Sequence, residues 1–198
     1  AFGAGTATVA YARAGHVRLR DQLGMAAISA LAAAGGALVA KSLPADALRI
    51  IMPVILVAVA AFFALKPGIS DDARAQRMAP AVFAFTAVPL IAAYDGFFGP
   101  GTGSFFMLAF VMLAGFGVLK ATAHTKMLNF ASNFGSLLVF AAGGGIWWGV
   151  GLAMAAAQIA GAALGAKLAM RIGARLIKPL LVLTSTGMAL RLLWQVWG

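Results

Sequence analysis

Residues 95–133 read DGFFGPGTGSFFMLAFVMLAGFGVLKATAHTKMLNFASN, and they combine a backbone break with polar side chains in an otherwise apolar chain. The run Gly-Pro-Gly-Thr-Gly at 99–103 predicts an interrupted helix, because proline and glycine disfavour helix interiors. Polar groups are costly in a bilayer and usually mark a functional site there. Irregular backbone at membrane depth must be buried by protein or reached by water. The stretch therefore predicts a broken helix beside a site.

The composition is that of a membrane protein. The chain has 198 residues, of which 63% are hydrophobic and 10% charged, whereas soluble domains are about 45–50% apolar. Apolar segments lie near 1–12, 22–40, 48–65, 80–94, 104–118, 127–142, 148–170 and 176–197. We predict an all-α polytopic membrane protein with a single transmembrane domain over 1–198.

The net charge of +10 could suggest nucleic acid as a partner. The lysines and arginines, however, lie mostly in the short links between apolar segments, which is the pattern of the positive-inside rule. The predicted partners are therefore the lipid bilayer and a small anion, with no nucleic acid. The chain has no cysteine and no His-Glu-x-x-His, and we predict no disulfide, metal or cofactor.

Two parts of the chain resemble each other. Residues 3–19 align without gaps over residues 133–149 and pair Gly5 with Gly135. Further on, Met25 pairs with Met154 and Gly36 with Gly165, and RIIMP at 49–53 matches RLIKP at 175–179. This predicts a first repeat at 1–66, truncated at its start, a link at 66–78 and a second repeat at 79–198.

Charge predicts opposite orientations for the two repeats. The basic link at 13–20 is expected in the cytoplasm, whereas its partner at 143–149 is uncharged and expected outside. The link at 66–77 is also basic, so three crossings (80–94, 104–118 and 127–142) would separate it from residue 143. Inverted repeats with interrupted helices are typical of secondary transporters, whose binding site lies at the repeat interface.

The break and the polar residues after it form two candidate parts of an anion site. Thr102 or Ser104 is expected to cap the helix that follows Gly99, Gly101 and Gly103, and its free N–H groups would favour an anion. The alternative is a packing kink without a ligand. Further along, Lys126, Asn129 and Asn133 share one helix face, and a lysine with amide neighbours suits a small oxyanion. Ser132 would join them or bond its own helix backbone.

Three residues are candidates for proton or ion coupling: Asp95, His124 and Lys120. Histidine titrates near neutrality, and Asp95 is the one acid within an apolar segment. Alternatives stay open for each. Asp95 could be tied to Lys126 or Lys120 or act as a cap, His124 could make a hydrogen bond in a link, and Lys120 could extend to the membrane interface.

These motifs resemble the sulfite exporter TauE/SafE family, also called the membrane permease family of unknown function 81. The resemblance rests on residues 95–104, on Lys-Ala-Thr-Ala-His at 120–124, and on the pattern from Lys126 to Asn133, and it extends over essentially the whole chain. It implies an inner-membrane permease of about eight helices with two homologous halves. The implied substrates are small sulfur-containing anions such as sulfite or sulfonates, or related organic anions. Family members begin with a further glycine-rich broken helix, which we expect to be missing here.

Other functions remain as alternatives. A passive anion channel or a non-transporting membrane subunit would use the same site. An intramembrane protease is disfavoured, because Ser104 is followed by Phe105 and Asp95 has no second carboxylate nearby in the sequence. We therefore predict no enzyme and no catalytic residue. The Gly161/Gly165 pair could serve a helix–helix contact in a homo-oligomer.

Overall fold

The computed structural model describes residues 1–44, 76–144 and 146–172. In these ranges the secondary structure is helical: α1 Phe2–Arg13, α2 Leu19–Ser42, α3 Pro80–Phe85, α4 Ala87–Phe97, α5 Thr102–Met112, α6 Val118–Ala142 and α7 Trp148–Ile172. The predicted segments 48–65 and 176–197, most of the 66–78 link, and the match between 49–53 and 175–179 lie outside the described residues.

Three helical stretches in the described ranges are long and apolar enough to cross a membrane: Leu19–Ser42, Pro80–Phe97 and Trp148–Ile172. The apolar helix α5 has 11 residues and is therefore only about 16 Å long, roughly half of the hydrocarbon core. The prediction of an all-α membrane protein is confirmed at this level.

The stretch Pro80–Phe97 bends at Thr86. Pro89 has no N–H and its ring would clash with the carbonyl of Phe85 in a straight helix, so the helix is interrupted there. The Thr86 hydroxyl donates to the Val82 carbonyl at 2.6 Å. Two helices, α3 and α4, therefore form one bent span.

Helix α5 runs back along this bent span. The rings of Phe83 and Phe110 lie 5.0 Å apart, and those of Tyr94 and Phe105 lie 5.4 Å apart, so the two arms are antiparallel. At the start of α3 and the end of α5, the N–H groups of residues 77 and 78 donate to the Leu113 carbonyl at 3.0 and 3.1 Å. The Gly-Pro-Gly turn is thus the tip of a helical hairpin, and α6 begins at the same end as α3.

Glycines let α2 pack closely against α4 and α6. A Cβ atom at Gly96 would overlap the backbone of Ala33, and one at Gly135 would overlap the backbone of Ala30. Small residues permit such backbone contact in membrane helices. Helices α2 and α6 run in the same direction, because Gln22 contacts His124 near the start of both helices and Lys41 lies against Gly143 at their ends.

Helix α1 runs opposite to α6. The amino group of Ala1 donates to Asn133 Oδ1 at 3.4 Å, whereas Gly5, one turn later, lies against Phe130, which precedes Asn133 in α6. Helix α1 also contacts α7, where the Gly3 N–H donates to Gln158 Oε1 at 3.4 Å. The described core is therefore formed by α2, α4, α5 and α6, with α1 and α7 along one side.

One predicted boundary is wrong. The predicted apolar segment 127–142 leaves Lys120 and His124 outside it, whereas α6 already begins at Val118 and includes both residues. No proline or glycine interrupts the chain between Val118 and Phe134, so the helix continues through its polar residues. Gln22 of α2 supplies a hydrogen-bond partner for His124 inside the bundle.

Candidate functional site

A cavity of about 480 Å³ lies between the tip of the helical hairpin and the middle of α6. Its floor is the turn from α4 to α5, and its wall is the face of α6 that carries its two asparagines. The lining residues are Asp95, Phe98, Gly99, Pro100, Gly101, Thr102, Gly103, Asn129, Asn133 and Ser136.

The turn at the cavity needs glycine at two positions. Gly99 and Gly101 have φ angles of 93° and 84°, in the left-handed region that other residues rarely adopt. Gly101 itself is the N-cap of α5. The expectation that Thr102 or Ser104 caps this helix is therefore wrong, because the Thr102 hydroxyl instead donates backward to the Gly99 carbonyl at 2.6 Å.

Tyr94 braces the turn from the side of α4. Its hydroxyl donates to the Pro100 carbonyl at 2.6 Å, and its ring packs edge-on against Phe105. This hydrogen bond fixes the position of the proline whose neighbours line the cavity. Tyr94 is a residue that the sequence analysis missed.

Several N–H donors at the cavity have no acceptor among the described residues. These are the backbone N–H groups of Gly101 and Gly103 and the side-chain amide nitrogen of Asn129. The Asn129 amide nitrogen lies beside Gly103, where an added Cβ atom would be 3.4 Å away. Since α5 also directs the positive end of its dipole here, the arrangement suits acceptor oxygens.

Asp95 forms a hydrogen-bond network with α6. Its Oδ2 atom accepts hydrogen bonds from the Ser132 hydroxyl and from Asn133 Nδ2, the latter at 3.2 Å. Asn133 Nδ2 also lies 2.8 Å from Asn129 Oδ1. Asp95 makes no ion pair with Lys126 or Lys120, both of which are among the described residues, so this alternative for its role does not hold. Ser132 also lies 3.2 Å from its own helix carbonyl at Asn129, which is the second of its two predicted roles, and it does not line the cavity.

Lys126 lies on the asparagine face of α6, one turn closer to the start of the helix than Asn129, and is half-buried. It does not line the cavity, and within the described ranges it has no ion pair. Ser104 does not line the cavity either; it lies in the first turn of α5. The structure therefore places only some of the predicted ligand residues around the cavity.

His124 and Lys120 form a second polar cluster at the start of α6, away from the cavity. His124 Nδ1 is hydrogen-bonded to Gln22 Nε2, and its ring packs between Phe110 and Phe116 at 5.5 and 4.8 Å. The Lys120 ammonium lies 4.1 Å above the Phe116 ring. His124 thus makes the hydrogen bond that was one alternative, although with a partner helix and not in a link.

The sequence analysis missed Ser136 and Gln22 as well. Ser136 follows Asn129 and Asn133 at helical spacing and could have been found by extending that face by one turn. Gln22 is buried, with 1% of its surface exposed, but it is a single polar residue at the edge of the apolar segment 22–40, and no local motif in the sequence marks it.

Comparison with known proteins agrees with the resemblance seen in the sequence. The family model described as "Sulfite exporter TauE/SafE" matches residues 1–192. The chain is 56% identical over 192 residues to "Probable membrane transporter protein ORF9" of Sinorhizobium sp, covering 97% of this chain and 74% of that protein.

Two other relatives are similar over nearly the whole chain. "Probable membrane transporter protein YfcA" of Escherichia coli strain K12 is 40% identical over 196 residues, covering 99% of this chain and 73% of that protein. A "Probable membrane transporter protein" of Haemophilus influenzae is 39% identical over 196 residues, covering 98% and 77%. No solved structure matches the chain significantly. The family match and these identities show that the chain belongs to the sulfite exporter TauE/SafE family.

Proposed function

We propose that the protein is a secondary transporter of small sulfur-containing or organic anions, such as sulfite or sulfonates, in the inner membrane. The observation that carries this proposal is the cavity beside Asn129 and Asn133, lined by residues whose N–H donors have no acceptor among the described residues. The family description "Sulfite exporter TauE/SafE" and the transporter names of the relatives support it.

The position of the cavity along α6 supports a substrate site. Asn129 and Asn133 lie near the centre of a 25-residue helix, so they would be close to the bilayer midplane in a spanning helix. Transporters bind their substrates at this depth, where helix N-termini point at anionic groups. The proposed substrate ligands are Gly99, Gly101, Thr102, Gly103, Ser104, Lys126, Asn129, Ser132 and Asn133.

Lys126 would contribute charge rather than a direct contact in the described conformation. It lies on the cavity side of α6 without an ion pair among the described residues. Lys126 lies one helical turn before Asn129, so its positive charge would act on an anion in the cavity across this short distance.

The arrangement of helices supports two inverted halves. The sequence repeat pairs α1 with the second half of α6, and these two helices run in opposite directions. It also pairs α2 with α7. The contact between α2 and α6 is therefore repeated, with the roles of the halves exchanged, by the contact between α7 and α1. Rocking of the halves about the cavity is the proposed transport motion, and Asp95, His124 and Lys120 are the proposed coupling residues.

The test is uptake of radiolabelled sulfite into vesicles that contain the protein, with an imposed proton gradient. We expect gradient-driven uptake in the wild type and a loss of about tenfold or more in Lys126→Ala and Asn129→Ala, because each removes a donor to a charged ligand. Lys41→Ala is the matched control, since Lys41 is exposed at the end of α2.

The outcomes separate the function from the site. Flux that persists in Lys126→Ala and Asn129→Ala would support the transport function but show that these two residues do not bind the substrate. Flux that never runs against a sulfite gradient would favour the alternative of a passive anion channel. Absence of flux for sulfite and for a panel of sulfonates and carboxylates would favour a non-transporting membrane subunit.

A further inference from the structure

The cavity combines unpaired donors with one acidic side chain, Asp95, which is the only ionisable side chain among the described residues that line it. An acid is unexpected in an anion site, because two negative charges repel strongly away from water. We propose that Asp95 makes this site selective for small oxyanions that carry a hydrogen-bond donor of their own, an O–H or N–H group. This inference rests on the proposed anion site and defines its substrate class.

The donor side of the cavity would hold the anionic group. The N–H groups of Gly101 and Gly103 and the Asn129 amide nitrogen have no acceptor within the described ranges. These three residues are half-buried, so a ligand that supplies acceptor oxygens would bind by taking the place of water at these donors. A sulfonate or similar group presents such oxygens.

The acid side of the cavity would hold the donor of the ligand. The Ser132 hydroxyl and the Asn133 amide both donate to Asp95 Oδ2, which is the pattern expected for an ionised carboxylate. The other oxygen, Oδ1, lies beside the cavity-lining Gly99, where an added Cβ atom would be 3.6 Å from it. An O–H or N–H group of a ligand would form a charge-assisted hydrogen bond there, whereas an acceptor oxygen would be repelled.

The other polar groups near Asp95 are directed to other partners. On α1, the Ala1 nitrogen lies 3.4 Å from Asn133 Oδ1. On α4, the Tyr94 hydroxyl is directed to the Pro100 carbonyl. On α6, Lys126 lies one turn away from Asn129. The volume of about 480 Å³ is many times that of a water molecule, about 30 Å³, so size alone would not separate two similar sulfonates.

Isethionate and ethanesulfonate test the inference directly, because they have the same charge and differ by one hydroxyl group. We would measure their affinities for the purified protein in detergent by isothermal titration calorimetry. We expect isethionate to bind about tenfold more tightly, the effect of one hydrogen bond to a charged group.

Asp95→Asn should remove most of the preference. Because Ser132 and Asn133 donate to the Oδ2 position, the asparagine would place its carbonyl there and its NH₂ group at the Oδ1 position. The isethionate hydroxyl could then form only a neutral hydrogen bond, as an acceptor, so its preference over ethanesulfonate should fall to about threefold or less. Asp21→Asn is the matched control, since Asp21 is exposed in the first turn of α2, and it should retain the tenfold preference.

The remaining outcomes distinguish this inference from the proposed function. Equal wild-type affinities, or a tenfold preference that survives in Asp95→Asn, would overturn the role of Asp95 and leave the anion site. Lack of isethionate binding by a protein that still carries sulfite would overturn the inference alone. Lack of binding of both sulfonates together with lack of sulfite flux would overturn the proposed function and the inference with it.

Discussion

At the scale of single residues, Tyr94 shows how the cavity depends on a group outside it. Its hydroxyl holds the Pro100 carbonyl at 2.6 Å, while Gly99 and Gly101 on either side take left-handed backbone angles. Proline donates no backbone hydrogen bond, and the Thr102 hydroxyl holds the neighbouring Gly99 carbonyl. One phenolic hydroxyl therefore helps to hold the donors of the site in place.

Tyr94→Phe should weaken sulfite transport with little effect on stability. The substitution removes one hydrogen bond, so we expect the KM for sulfite to rise about three- to tenfold. Tyr11→Phe is the control, because Tyr11 is buried against other parts of the bundle and does not touch the turn. An unchanged KM in Tyr94→Phe, measured in the same vesicles, would show that the turn holds its shape without this bond.

Neighbouring glycines in α2 have different roles. A Cβ atom at Gly36 would overlap the backbone of Ala93, whereas one at Gly35 would meet no atom within 4 Å. Gly36→Ala should therefore destabilise the protein by about 1–3 kcal/mol through overpacking. Gly35→Ala should be neutral or stabilising by up to about 1 kcal/mol, because alanine favours the helix. Thermal unfolding of the two variants in detergent checks this contrast.

At the scale of helices, α2 and α6 are joined by polar contacts inside an apolar bundle. Gln22 bonds His124 near the start of both helices, and the Ser29 hydroxyl donates to the Leu128 carbonyl at 3.0 Å. Both contacts link the first predicted repeat to the second. In a bilayer such bonds orient helices that have little hydrophobic preference for one register over another.

A double-mutant cycle on Gln22 and His124 measures this link. Gln22→Leu leaves the His124 ring without its partner and should destabilise the protein by about 1 kcal/mol. The double variant Gln22→Leu/His124→Phe should cost less than the sum of the two single variants, because neither residue is then left unpaired. Strict additivity in chemical or thermal unfolding would contradict a direct interaction.

At the scale of the whole molecule, the ends of the helices define two sides. The link between α1 and α2 carries Arg13 and Arg18, and α6 begins at the same side with Lys120. The link between α6 and α7, near Ala142 and Gly144, lies at the far end of α6. From the positive-inside rule we predict that the arginine side faces the cytoplasm.

Single-cysteine labelling can test this topology cleanly, because the chain has no cysteine. Ala14→Cys and Lys120→Cys should react with a membrane-impermeant maleimide only when the cytoplasmic side is accessible. Ala142→Cys should react only from the opposite side. Reaction of Ala14→Cys and Ala142→Cys from the same side would reject the orientation and, with it, the proposal of inverted halves.

Some features of this protein can be predicted from its sequence, whereas others depend on how distant segments pack. The all-helical membrane character and the family assignment are confirmed, because both depend on composition and on local motifs. The boundary of α6 was wrong, because the predicted apolar segment left out polar residues such as His124, whereas Gln22 from a distant part of the chain satisfies it. The inverted repeats and the ligand roles stay predictions.

Local composition and periodicity are enough to predict the membrane character of this chain, the helix-disfavouring run at Gly-Pro-Gly and the shared helix face of Asn129 and Asn133. The tertiary structure alone decided which polar residues meet. It placed Asp95 against Ser132 and Asn133, left Lys126 outside the cavity wall, and paired Gln22 with His124. Contacts between distant segments depend on how the helices pack, and the glycines that permit this packing do not reveal their partners from the sequence alone.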